Sequence, residues 1–106
     1  MFSDAVQKLE KALTPNKLIV LAIICAADAE IAFADVRRQH PTISRGLLSQ
    51  TNGMLIADGL ITSTKRIERN TPKTYLKATA EGRTRFWRHC AAISQVADAV
   101  KVRSGK

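Results

Sequence analysis

The chain is expected to fold as a mainly α domain with one small β-hairpin, an α+β arrangement. Three observations predict it. Apolar residues recur at helical spacing through most of the sequence, while β-forming residues flank a basic, Pro-containing turn between Leu60 and Leu76. With 106 residues and 45% hydrophobic content, the chain can form one cored domain without disulfides or metal.

Residues 3 to 13 read as a first helix, because Phe2, Val6, Leu9 and Leu13 make one narrow apolar stripe. Thr14-Pro15 ends it and opens a second helix, with Thr14 as N-cap and Pro15 at the first helical position. Leu13 and Leu18 can staple that start. The second helix runs to about Ala27 and is apolar on nearly every side, which places it at the centre of the fold. Asp28-Ala29-Glu30 is a turn and Ile31-Ala32 a very short strand. A short helix spans about Phe33 to His40, with Phe33 and Val36 inward, Arg37 and Arg38 outward, and Pro41 as its stop. The next helix runs from Ser44, its N-cap, to Asp58. Leu48, Thr51 and Leu55 should be buried, flanked by Leu47 or Ile56. Gly59 then takes the C′ position.

Leu60-Ile61 anchors one strand of the hairpin and Tyr75-Leu76 the other, with Glu68 to Lys73 as the turn. Thr79 caps a final long helix whose first turn carries Glu81, where a negative charge suits the dipole. Phe86, Cys90, Ile93, Ala97 and Val100 repeat along it at four-three-four-three, a heptad-like seam.

Seventeen basic residues against 9 acidic give a charge of +8 and a pI near 10.1. Such an excess favours a polyanionic partner, nucleic acid first and an anionic membrane surface second. Cys25 and Cys90 lack CxxC spacing, so neither a zinc module nor a disulfide framework is expected, and the chain suits a reducing cytoplasm. Thiols in apolar helices are usually inert, which argues against a redox switch. His40, His89 and Cys90 do not make a metal-ligand spacing, so no metal and no other cofactor is expected. The apolar run Leu18 to Ala27 is too short for a bilayer that needs about 20 residues, and no signal peptide is read. No nucleophile–base constellation, Gly-rich phosphate loop or paired carboxylates point to an enzyme, so no catalytic residue is assigned.

A polar-faced helix followed by a basic hairpin suits duplex DNA. A helix about 10–12 Å across fits a major groove about 12 Å wide, and the hairpin can reach adjacent phosphates or the minor groove. The helix candidates are Ser44, Arg45, Gly46, Ser49, Gln50 and Gly53: Arg45 for a guanine edge or phosphate, Gln50 for an adenine edge, and the glycines for close backbone approach. The hairpin candidates are Lys65, Arg66, Arg69 and Lys73, with Arg69 at the tip best placed for a minor groove. Arg37, Arg38 and Lys17 are softer phosphate candidates. Plainer readings stand beside these: a solvated helix face, and hairpin charge that only blunts an exposed edge. The stripes Phe2/Val6/Leu9/Leu13 and Phe86/Cys90/Ile93/Ala97/Val100 suggest a dimer interface, with closure on their own domain as the alternative. Trp87 sits one step off the second stripe, where it packs or caps such an interface.

The order of elements resembles the MarR/ArsR-like winged helix-turn-helix regulators, and within them the small winged-helix DNA-binding domain family. The resemblance rests on Phe33-Ala34-Asp35-Val36, Leu48-Ser49 through Leu55, Asp58-Gly59-Leu60-Ile61, Lys73-Thr74-Tyr75 and Thr79-Ala80-Glu81-Gly82-Arg83, together covering most of residues 16 to 95. It departs at Asn52, where the family usually carries an apolar residue, and at Ala78, which replaces a leucine. The resemblance implies a single domain over residues 1–106: an N-terminal dimerisation helix (1–14), a winged helix-turn-helix core (15–78) and a C-terminal dimerisation helix (79–102). It implies a homodimer with one winged domain per half-site of double-stranded DNA, and an unidentified small-molecule effector. Two-fold symmetry then calls for an approximately palindromic site, cysteine usage for the cytoplasm, and a chain with no activation module acts most simply as a repressor. A protein-binding winged helix and a non-specific DNA-binding protein are the competing readings.

Overall fold

The computed structural model describes Val6, Gln7, Leu9 and residues 13–103. Helix α1 (Pro15–Ala26) leads to strand β1 (Ile31–Ala32), helix α2 (Phe33–Gln39), helix α3 (Arg45–Ala57), strands β2 (Ile61–Glu68) and β3 (Thr71–Ala78), and helix α4 (Ala80–Arg103). The predicted α+β class is the one found. Most of the first predicted helix, Phe2 included, lies outside the described residues; within it the Leu9 N–H donates to the Val6 carbonyl at 3.1 Å.

The caps explain the helix boundaries. Ser44 Oγ accepts the Leu47 N–H at 3.0 Å and starts α3. At its other end Gly59 takes φ +76°. The Gly59 N–H donates to Ile56 and the Leu60 N–H to Leu55, both at 2.9 Å, the paired bonds of a Schellman motif. Thr79 Oγ1 accepts the Gly82 N–H at 2.9 Å and donates to the Gly59 carbonyl at 2.7 Å, so one hydroxyl starts α4 and ties it to the end of α3. Arg83 donates to the carbonyls of Cys25 (2.8 Å) and Ala27 (3.4 Å), satisfying the C-terminus of α1 from a distant helix. Thr14 stands at the N-cap of α1 as expected, but its side chain makes no capping bond; Pro15 alone sets that start.

The three strands form one antiparallel sheet in the order β1-β3-β2. Ile61 pairs with Ala78 and Glu68 with Thr71, so the loop is only Arg69-Asn70, both at positive φ (52° and 62°). The expected turn over Glu68 to Lys73 is thus shorter than its composition suggests. Pro72 is accommodated because a two-residue loop makes Glu68/Thr71 the hydrogen-bonded closing pair. Its missing N–H then points to the open edge, beyond the two residues that β1 pairs with.

The core joins Val20, Leu21 and Ile24 of α1, Val36 of α2, Leu48 and Leu55 of α3, and Ile61, Leu76 and Ala78 of the sheet, with Leu13, Ile43 and Leu60 from the connections. Each fully buried Leu or Ile stabilises by about 1.5–3 kcal/mol. Helix α1 is central, although Ile19 stays exposed. Thr51 is buried in α3 as expected, but the flanking position belongs to Asn52; Leu47 and Ile56 face outward. A polar amide therefore occupies the place where the sequence leads one to expect an aliphatic side chain. No helix among the described residues is long and apolar enough to cross a membrane.

Candidate nucleic-acid interface

With Leu48, Thr51, Asn52 and Leu55 turned inward, 100° per residue places Gly46, Gln50, Gly53 and Ala57 on the opposite face of α3. Ser44, Arg45, Gly46, Ser49, Gln50 and Gly53 are all exposed, which brings the expected helix candidates onto one accessible surface. A Cβ built on Gly46 or Gly53 would meet nothing within 4 Å, and neither has a positive φ. The fold does not require these glycines, although each costs the helix roughly 1 kcal/mol against alanine. From Arg45 to Ala57 the helix carries no acid and a single cation, Arg45.

Arg45 lies 5.7 Å from the centre of the Phe33 ring, which leans it toward α2. Phe33, Arg37, Arg45, Ser49, Lys73 and Thr74 contribute to the lining of a groove of about 390 Å³ between α2, the start of α3 and β3. The groove joins the helix surface to the hairpin. Arg37 is half-buried, contrary to its expected outward position, and its Nε finds no hydrogen-bond partner among the described residues. Arg38 is exposed as expected but is tied to Asp35 at 2.7 Å, and Lys17 is paired with Asp58 at 3.9 Å. Two of the three softer candidates, Arg38 and Lys17, are thereby partly neutralised.

Lys65, Arg66, Arg69 and Lys73 are all exposed on the hairpin, but they are not equivalent. Alternation along the strands puts Lys65 on the face that continues from Ile61 and Leu76, and Arg66 and Lys73 on the opposite face. There Arg66 makes a two-pronged ion pair with Glu30, its second nitrogen at 3.0 Å from the carboxylate, and stacks 4.5 Å from the centre of the Tyr75 ring. The Tyr75 hydroxyl donates to both oxygens of Glu68 (2.9 and 2.8 Å), and Lys73 approaches the same carboxylate at 3.6 Å. The Glu30 hydrogen bond pushes the Arg66 pKa further up, and the bond to Glu68 raises that of Tyr75. Among the described residues Lys65 and Arg69 have no ion-pair partner. Arg69 also holds φ 52° at the tip, a conformation that bulky side chains rarely adopt.

The second group of expected residues divides by burial. Leu13 is buried in the domain's own core and Phe86 packs against it, so both serve the monomer; Cys90 is half-buried. Val6, Ile93, Ala97 and Val100 are exposed, and Leu9 is partly exposed. The buried stripe of α4 is instead His89 and Ala92. Trp87 is 66% exposed, with Phe86 in an edge-on contact at 5.4 Å. Burial pushes the Cys25 thiol up despite the nearby Arg83, which keeps it away from the reactive thiolate. Glu30 was not readable as a site residue, because its partner depends on where β2 lies. Leu47 and Met54, each 38% exposed, are further surface residues that α3 brings beside Gln50.

A family model described as a winged helix DNA-binding domain matches residues 17–97. The fold is similar to that of a transcriptional regulator homologue from Pyrococcus horikoshii OT3 (TM-score 0.81, 19% identity, 92% of this chain and 97% of that one). It is also similar to the PcaV transcriptional regulator from Streptomyces coelicolor, solved with its natural ligand (TM-score 0.74, 15% identity, 96% and 70% covered). A third similar structure is Staphylococcus aureus MarR with salicylate and kanamycin (TM-score 0.72, 18% identity, 94% and 63% covered). At these identities the likeness is one of fold, and it bears out the winged helix-turn-helix resemblance read from the sequence. The matching family is a DNA-binding domain, in keeping with the expectation that the chain is no enzyme. No curated protein matches the chain.

Proposed function

Because this chain belongs to the winged helix DNA-binding domain family, we propose that it is a cytoplasmic transcriptional regulator that binds double-stranded DNA as a homodimer. The observation that carries this reading is the surface shared by α3 and the hairpin. Its acid-free helix face presents Ser44, Arg45, Gly46, Ser49, Gln50 and Gly53 beside a hairpin with Lys65 on its strand and Arg69 at its tip, neither with an ion-pair partner among the described residues. Helix α3 enters the major groove, where Gln50 and Arg45 meet base edges. The hairpin tip lies along the backbone and puts Arg69 into the adjacent minor groove. The groove holding Arg37 and Arg45 receives a phosphate between them.

Residues 1–14 and 79–102 flank this core as dimerisation arms. The exposed apolar residues of α4 support that role: Trp87, Ile93, Val100 and Val102 are only partly covered within the described residues. Two-fold symmetry then calls for an approximately palindromic operator, and occlusion of a promoter, hence repression, is the simplest outcome. The PcaV and S. aureus MarR structures hold small molecules, and a small-molecule effector is part of the proposal for this chain.

The test is fluorescence anisotropy with labelled duplex DNA. Arg45→Ala, Lys65→Ala and Arg69→Ala should weaken binding cumulatively, and more so at low salt, while Gln50→Ala should weaken binding to a preferred sequence alone. Wild-type protein that binds no duplex at moderate salt would reject the proposal and favour a protein-binding winged helix.

A further inference from the structure

Leu47 and Met54 are left partly uncovered by the described residues. Both are large apolar residues, each 38% exposed, on a helix whose inward face already holds Leu48 and Leu55. They are seven residues apart, so they lie on one line along α3, and Gln50 falls between them at spacings of three and four. Beside this line run Gly46, Gly53 and Ala57, with open space around both glycines. The outward face of α3 is thus low along one edge and carries an apolar–amide–apolar ridge along the other. Single surface hydrophobics need no explanation. A ridge of this pattern, on a helix without acids and with Arg45 at its start, matches a specific ligand surface.

The major groove offers that surface. Thymine presents a C5-methyl group there, and adenine presents the N6 donor and N7 acceptor that an amide side chain pairs with. The axial rise from residue 47 to 54 is about 10.5 Å, roughly three base-pair steps. The low glycine edge lets the helix backbone sit deep enough for short-range methyl contacts. Resting on the DNA-binding reading above, we infer that Leu47 and Met54 are specificity-determining residues: they pack on thymine methyls on either side of an adenine read by Gln50, so each half-site contains a short A·T-rich core.

The experiment uses full-length protein and duplexes enriched from a random pool, resynthesised with uracil in place of thymine at each half-site position in turn. Uracil pairs like thymine and lacks only the methyl. Wild-type affinity should fall about fourfold for each contacted methyl, the worth of roughly one buried methylene. Leu47→Ala and Met54→Ala should each become insensitive to uracil at one position. Both sites are exposed, so thermal unfolding should show the variants folded like wild type. Equal wild-type affinity for thymine and uracil duplexes, with binding otherwise intact, would overturn this inference and assign the ridge to another occupant such as a protein. Enriched half-sites without A·T pairs would overturn it as well. Failure to bind any duplex would overturn it together with the DNA-binding reading, and is told apart by the absence of salt-dependent binding to unselected DNA.

Discussion

Arg66 on β2 is locked by a two-pronged ion pair to Glu30, 36 residues earlier in the chain. The pair ties the hairpin to the segment entering β1 and neutralises one of its five cations. The hairpin charge available to DNA is therefore smaller than a count of its lysines and arginines suggests. Arg69→Ala should lower the log–log salt slope of DNA binding by about 0.9, one phosphate contact. Arg66→Ala should change it much less, and Glu30→Gln should raise affinity for unselected DNA by freeing Arg66. Equal slopes for Arg66→Ala and Arg69→Ala would show that the ion pair opens in the complex.

An ideal Cβ at Gly82 would lie 2.0 Å from the Leu60 carbonyl oxygen, a backbone atom that already accepts the Thr79 N–H. Gly82→Ala must push α4 off the start of β2, at a cost of about 3 kcal/mol. Urea unfolding should show the loss as a lower midpoint. An unchanged midpoint would mean that the junction yields freely.

Asn52 is buried, and among the described residues neither its Nδ2 nor its Oδ1 has a hydrogen-bond partner. Asn52→Leu keeps the branched shape, with bulkier methyl ends, and removes both polar atoms, so it should stabilise by about 1–3 kcal/mol. Calorimetry should show a higher Tm. A lower Tm would place a required hydrogen-bonded partner at this amide.

The hydrogen bond to Glu68 favours the neutral phenol of Tyr75 and raises its pKa. The sign follows: the bond's contribution is complete below the ordinary phenol value of about 10 and is lost as pH rises through the higher folded value. The chain contains one tyrosine, so phenolate absorbance reports this site alone. Its midpoint should lie above that of a free tyrosine and drop in Glu68→Gln. A wild-type midpoint at the free value would show the bond to be open in solution.

Dimerisation through α4 predicts that Ile93→Asp and Val100→Asp give monomers in sedimentation equilibrium while each monomer stays folded, because both residues are exposed. Trp87, the single tryptophan, should shift its emission to the blue as wild-type concentration rises. A wild type that is monomeric at high concentration would contradict the dimer.

Much of the fold was legible because its punctuation is local. Ser44, Gly59 and Thr79 mark helix ends by chemistry that acts within a few residues, and each does so in the structure. The hairpin was legible as an element, but not its loop. Thr71, Pro72 and Lys73 resemble turn residues, and only the register shows that the Pro72 position needs no donor. In α3 the helical period named Leu48, Thr51 and Leu55 correctly. It could not show that Asn52 is drawn inside while Leu47 and Ile56 face out, because the contact with α1 sets the helix rotation. The polar network of Glu30, Arg66, Tyr75 and Glu68 was illegible for the same kind of reason: its members meet only once β1, β3 and β2 are assembled.

The most direct test of the central claim is a binding selection from random duplex DNA, followed by a salt titration on the enriched sequence. A sequence-specific dimer should yield an inverted repeat with half-sites about one helical turn apart and a log–log slope of about −0.9 per phosphate contacted. No enriched sequence, with weak binding that vanishes near physiological salt, would contradict it.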